Sequence, residues 1–125
     1  MRPGLLLFAH GARDPHWALP FEAVAARVRL ARPGLPVALA YLEFMNPGLV
    51  EAGVQLVGGG CTDVAVLPLF LGAGGHVRKD LPLLLERLRA ACPGARFGLL
   101  PAVGEIDSVV AAMAAAAVAA LEGAP

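Results

Sequence analysis

Four short apolar, strand-like runs punctuate the chain, at Leu5 to Ala9, Val37 to Leu42, Val64 to Phe70 and Arg96 to Leu100. Each is followed by a segment whose apolar residues recur every three or four positions. Runs that are apolar throughout, rather than alternating, are the pattern of parallel strands buried on both faces, and the segments between them read as helices. The first helix carries Phe21, Val24 and Val28 on one face, the second Leu49, Val50, Val54 and Val57, and the third Leu81, Leu84, Leu85 and Leu88. The fourth, about Glu105 to Leu121, is rich in alanine and apolar nearly all round, which is the pattern of a helix buried on more than one side.

Local signals agree with this division. Asn46-Pro47 reads as an N-cap followed by proline at the first helical position, while Gly58 to Gly60 and Pro93-Gly94 mark helix ends. Pro20 and Pro82 lie five or six residues into their candidates, so those helices either begin later or bend there. Strand and helix alternating four times predict one α/β domain over residues 1–125 with a flavodoxin-like parallel sheet, order 2-1-3-4, and helices on both faces. In such a sheet the chain reverses between strands 1 and 3, and ligands bind at the carboxyl ends of the strands beside that switch point.

Composition narrows the function classes. The chain is 58% hydrophobic and 16% charged, with ten basic and ten acidic side chains, so no global field draws it to nucleic acid or a membrane surface. The uncharged run Ser108 to Leu121 is shorter than the roughly 20 apolar residues a membrane span requires. Leu5 to Phe8 runs straight into His10-Gly11 with no small-residue cleavage pattern, so it reads as a buried strand of a cytoplasmic protein rather than a leader. Cys61 and Cys92 stand far apart, with no CxxC and no neighbouring histidine, and read as reduced structural thiols.

On that frame His10 ends strand 1, Glu43 ends strand 2, and His76 follows strand 3 after Leu71-Gly72-Ala73-Gly74-Gly75. All three belong to the ligand-binding edge. Neutral imidazoles and a carboxylate suit a borderline divalent ion such as Co²⁺, Fe²⁺ or Ni²⁺, and they also move protons. Either histidine alone reads equally as a hydrogen-bonded structural residue, and Glu43 equally as a helix-start charge. Two of three histidines on one edge favour function; the third, His16, follows Asp14-Pro15 and reads as surface. The glycine loop lacks a GxxxxGK[ST] or GxGxxG pattern. Its glycines predict close approach of Gly74 and Gly75 backbone to a ligand, with Arg13, Arg78 and Lys79 on the same rim. Because Asp14 and Asp80 lie beside them, a solvated mixed-charge rim is the competing reading.

Three segments carry a resemblance: Ala9-His10-Gly11-Ala12-Arg13-Asp14-Pro15, Leu42-Glu43-Phe44-Met45-Asn46-Pro47, and Pro68 to Asp80 with Gly74-Gly75-His76-Val77-Arg78-Lys79 at its centre. With these the chain resembles the class II chelatases, in their short, CbiX-like form of sirohydrochlorin cobaltochelatase. The resemblance implies ATP-independent insertion of a divalent metal, Co²⁺ or alternatively Fe²⁺ or Ni²⁺, into a sirohydrochlorin-type tetrapyrrole, with no prosthetic group. It implies that His10 and His76 hold the metal and assist pyrrole deprotonation. Long members of the family hold two such halves in one chain, so a short chain is expected to act as a homodimer. Two other classes compete. A phosphohistidine mutase or phosphatase also places His-Gly after a first strand but wants an arginine before it, where this chain has Ala9. A non-catalytic tetrapyrrole or metal carrier would bind without accelerating metallation.

Overall fold

A computed structural model of the chain describes residues 1–72 and 74–123, the side chain of His76 excepted. Four parallel strands, β1 (Pro3–Ala9), β2 (Val37–Tyr41), β3 (Asp63–Pro68) and β4 (Arg96–Leu99), form one sheet in the order β2-β1-β3-β4. Register is fixed on both edges of β1, where Leu6 lies opposite Ala38 and Val66, and Leu7 opposite Leu39 and Leu67. Helices α1 (Leu19–Ala31), α2 (Leu49–Gly58), α3 (Gly75–Ala91) and α4 (Asp107–Glu122) follow strands 1 to 4 in turn.

Side-chain alternation along the strands divides the interior in two. Leu6, Phe8, Val64, Val66 and Phe97 point to one face and pack beneath α2 and α3, against Leu49, Leu56, Leu81, Leu85 and Leu88. Ala9, Tyr41 and Leu39 lie on the other face with Trp17, Ala18 and Phe21, where α1 crosses β1 and β2. No polar or charged side chain is buried among the described residues. Two arginines tie helix ends to the strands that follow: Arg29 donates to the Val37 carbonyl at 2.9 Å and Arg89 to the Phe97 carbonyl at 2.9 Å.

Several expectations are corrected. Val24 and Val54 are exposed; α1 instead turns Phe21, Ala25 and Val28 inward, and α2 turns Leu49, Ala52, Gly53 and Leu56 inward. For α2 the cause is close approach to α3, since a Cβ at Gly53 would run into the Leu88 side chain. Small residues therefore occupy the inner stripe where two helices meet, and the larger valines are displaced sideways. Asn46-Pro47 does not open α2: that peptide bond is cis, Pro47 accepts a hydrogen bond from the Tyr41 amide, and the helix begins after Gly48. Pro20 sits in the first turn of α1, where its missing N–H costs nothing, and Pro82 lies inside α3. The largest departure is α4, which buries none of its residues.

The thiols fall where strand order puts them. Cys61 precedes β3 and Cys92 caps α3 ahead of β4, so both are buried, free, and at the amino edge of the sheet. Exchange of both for Ser is expected to leave metal binding intact in a cobalt titration, and a selective loss of binding would contradict that placement. Leu88→Ala, which empties a fully buried site, is expected to cost about 2–5 kcal/mol in urea unfolding. The exposed Val54→Ala should stay within about 0.5 kcal/mol of the parent, and equal effects would reject the observed facing of α2.

Candidate active site

Because all four strands run parallel, their carboxyl ends share one edge, and the polar residues singled out above collect along it. Strand pairing continues past the regular ladder: the Leu42 amide donates to Ala9 O at 2.9 Å and the Glu43 amide to His10 O at 3.1 Å. His10 and Glu43 are thereby held side by side on adjacent chains. On the other side of β1, the Leu69 amide donates to Phe8 O at 2.7 Å, which carries β3 to the same height.

Gly11 makes this approach possible. Its φ of +86° lies in the left-handed region, and a Cβ there would collide with the Glu43 carbonyl oxygen. Only glycine removes both obstacles at once. His10 is half-buried, and its ring lies 4.4 Å from the Phe70 ring centroid to centroid, tilted by 47°. Phe70 is itself buried and packs edge-on against Phe8 at 5.7 Å. The imidazole thus rests on an apolar shelf and stays partly exposed to solvent.

The shelf is fixed from β4. After that strand the chain makes a 3-10 turn at Val103–Glu105, and the Gly104 amide donates to Phe70 O at 3.0 Å. A Cβ on Gly104 would strike the backbone of Leu71, so this contact also requires glycine. Past Leu71 the chain reaches α3, whose N-cap is Gly74 and whose second residue is His76. The side chain of His76, and with it the imidazole pair, lies outside the described residues, as does Ala73. Among the described residues no three His, Cys, Asp or Glu side chains cluster to hold a metal.

Around this edge the rim residues are open to solvent. Glu43, Arg13, Gly74, Gly75, Arg78 and Lys79 are all exposed. Arg78 also borders an apolar groove of about 430 Å³ walled by Pro68, Phe70, Leu81, Leu100 and Pro101. Among the described residues no side chain caps the start of α3, so the amides of its first turn and the helix dipole favour an anion there. His16 matches its surface reading: its side chain is 85% exposed, paired at 3.2 Å with Asp14, which caps the 3-10 turn at Pro15–Ala18. Tyr41, beneath the edge, has its pKa raised by burial and by the nearby Glu22 charge, so it stays a neutral phenol.

Sequence reasoning missed three contributors. Phe70 reads as the end of a strand, but it supports the His10 ring. Phe44 holds a left-handed backbone with φ of 66° and presents an exposed ring, over which the Arg13 guanidinium carbon stands 5.0 Å from the centroid. A non-glycine residue in that conformation costs on the order of 1 kcal/mol, and functional edges are where such costs are retained. Gly104 has no local signal at all, because its constraint comes from a segment more than thirty positions earlier in the chain.

Known proteins share this fold. The family model for CbiX matches residues 4–120, which takes in all but the first residue of the sheet and nearly all of α4. The sirohydrochlorin cobaltochelatase of Methanococcoides burtonii is 29% identical over 83 residues, 66% of this chain and 63% of that protein. The sirohydrochlorin cobaltochelatase of Saccharolobus islandicus strain L.S.2.15 is 34% identical over 82 residues, again 66% of this chain and 62% of that protein. The aligned segment thus spans less than two thirds of either relative. Among solved structures, a cobalamin (vitamin B12) biosynthesis CbiX protein from Marinobacter aquaeolei VT8 superposes with a TM-score of 0.85 at 32% identity, covering 96% of this chain and 98% of that one. The sirohydrochlorin chelatase SirB of Bacillus subtilis subspecies spizizenii, in complex with cobalt, gives 0.73 at 27% identity and covers 90% of this chain but 48% of its own. A family match that runs through all four strands, together with a full-length structural counterpart, means that the chain belongs to the CbiX family.

Proposed function

We propose that this chain is a sirohydrochlorin cobaltochelatase of the cytoplasm, exchanging two pyrrole protons of the macrocycle for one Co²⁺ ion in cobalamin or sirohaem formation. The observation that carries the reading is His10, following β1 at the switch point, half-buried, with its ring backed by Phe70. Family membership supplies the reaction class, and buried free thiols at Cys61 and Cys92 suit a reducing compartment.

The chemistry asks for a base and a metal ligand on one face of a flat ring. As neutral imidazoles, His10 and His76 do both, holding the incoming ion and accepting pyrrole protons as nitrogen lone pairs turn to the metal. Glu43, exposed and joined to His10 through the backbone, passes protons to solvent. The macrocycle's carboxylates are met by Arg13, Arg78, Lys79 and the amides of Gly74 and Gly75, and the exposed Phe44 ring offers its plane an apolar face. No prosthetic group takes part; the metal is a substrate. Two copies of the chain form the working enzyme.

Turnover of sirohydrochlorin under anaerobic conditions with Co²⁺, Fe²⁺ and Ni²⁺ in parallel tests the function and its metal. Cobalt is expected to be fastest. Stoichiometric binding with no acceleration over the buffer blank would instead define a carrier. His10→Ala and His76→Ala are each expected to bring metallation close to the blank while far-UV circular dichroism and the unfolding midpoint stay near the parent values. His16→Ala should remain close to the parent rate. Normal turnover by the double variant would end the assignment of either histidine. On the rim, exposed ion pairs contribute only about 0–1 kcal/mol each, so single Ala changes at Arg13, Arg78 or Lys79 should raise KM modestly. An unchanged KM in the triple variant would refute their role in substrate recognition.

A further inference from the structure

Backbone pairing holds the main chain of His10 but does not set its ring. The Glu43 amide fixes the His10 carbonyl at 3.1 Å, and Gly11, next along, has no side chain to lean on the imidazole. The side-chain torsions χ1 and χ2 then remain to be fixed by packing or by a hydrogen bond. A metal-binding imidazole is ordinarily oriented through its second nitrogen, which donates to a carboxylate, a carbonyl or a water. Among the described residues no protein group makes such a bond to the His10 ring. What the ring does meet is Phe70.

Phe70 is itself firmly held. Side chains two apart on an extended chain share a face, so Phe8 and His10 project together, and the Phe70 ring meets both. It lies edge-on to Phe8, with centroids 5.7 Å apart and planes at 64°, and tilted against His10, with centroids 4.4 Å apart and planes at 47°. Phe70 is 2% exposed and Phe8 not at all. Its main chain is pinned from the far side of the sheet, where the Gly104 amide donates to Phe70 O at 3.0 Å. A separation of 4.4 Å is at the short limit of the usual range for ring pairs, about 4.5–7 Å, so the imidazole cannot swing far about χ2 without driving an edge into Phe70.

We propose that Phe70 is a positioning residue for metallation: its fixed ring, rather than a hydrogen bond, sets the plane of the His10 imidazole and with it the direction in which the nitrogen lone pair meets the ion. This rests on the metal-handling role proposed for His10 and extends it to a residue that acts only through His10. The lone pair lies in the ring plane, and a ligating group must be held within about 10–20° of its productive direction. An aliphatic side chain at position 70 would fill the same core volume but offer no flat face to hold that plane. The aromatic ring is therefore required by the ligand it backs, over and above its place in the core.

The test compares Phe70→Leu, Phe70→Tyr and Leu88→Ala in the intact chain, with circular dichroism to confirm folding. Leucine keeps the site apolar without a ring, tyrosine restores the ring, and Leu88→Ala loosens the same core cluster well down α3. Should Phe70→Leu not fold, Phe70→Met, closer in volume, carries the same comparison. In proton NMR the His10 ring resonances are expected to be displaced by the ring current of residue 70 in the parent and in Phe70→Tyr, and to lose that displacement in Phe70→Leu. In titrations with Co²⁺ alone, Phe70→Leu is expected to bind about 10–100-fold more weakly than the parent, with the other two variants close to it. Turnover at one fixed Co²⁺ concentration should show the same loss in kcat, while KM for the macrocycle, whose carboxylates are held elsewhere, stays near the parent value. A folded Phe70→Leu with unmoved His10 resonances or parental Co²⁺ affinity would overturn the positioning role. So would an equal loss in Leu88→Ala, or failure of a folded Phe70→Tyr to restore binding. Parental Co²⁺ affinity and turnover in His10→Ala would instead remove the metal role of His10 itself, and this inference with it.

Discussion

Strand β1 is paired on both edges, by β2 and by β3, and its residues Leu6 to Ala9 are wholly removed from solvent. Every other placement follows from this. Parallel neighbours cannot be joined by a tight turn, so the chain must leave β1, cross through α1 to β2, and return through α2 to the opposite side. The reversal opens a gap between outgoing loops at the carboxyl end of β1. His10 stands in that gap because it is the next residue along the strand, and the two backbone bonds that extend pairing to Leu42 and Glu43 keep it there.

Two glycines convert the gap into a defined edge. Gly11 lets the end of β1 pass against the Glu43 carbonyl, and Gly104 lets the chain after β4 press on Leu71. The first fixes the β2 side of His10 and the second its β3 side, through Phe70. Since the core holds no buried polar side chain among the described residues, positioning at this edge relies on backbone bonds and ring packing. The site residues are free to face solvent because nothing in the interior needs them.

How much of this was legible in the sequence depends on which contacts set each feature. Strand positions were legible because each strand coincides with a mostly apolar run, although only β1 is buried on both faces, and β1 to β4 begin and end within two residues of those runs. Helix facing was less legible. Hydrophobic periodicity gives weight to large residues such as Val24 and Val54, whereas close packing selected Ala25, Ala52 and Gly53. Asn46-Pro47 carries the same local signal whether it starts a helix or turns a loop. The strand-end positions of His10 and Glu43 follow from local order, but Phe70 as a ring support and Gly104 as an anchor depend on tertiary neighbours. The all-round apolar pattern of α4 reads as a helix buried on more than one side, yet the helix buries none of its residues, so periodicity alone misplaced it.

The glycines ahead of α3 differ in kind from Gly11 and Gly104. A Cβ at Gly72, Gly74 or Gly75 would meet nothing within 4 Å among the described residues, and none of the three has a positive φ. Among the described residues, neither packing nor backbone conformation requires glycine there. Each still carries the entropic cost of an unrestrained backbone, roughly 0.5–1 kcal/mol relative to alanine where Gly75 enters the helix. Bare backbone at the uncapped start of α3, beside Arg78 and Lys79, presents amides without a side chain to hold a ligand off. On the function proposed above, the space these glycines leave is where the carboxylates of the macrocycle come to rest, so the requirement for glycine lies in the substrate and not in the fold.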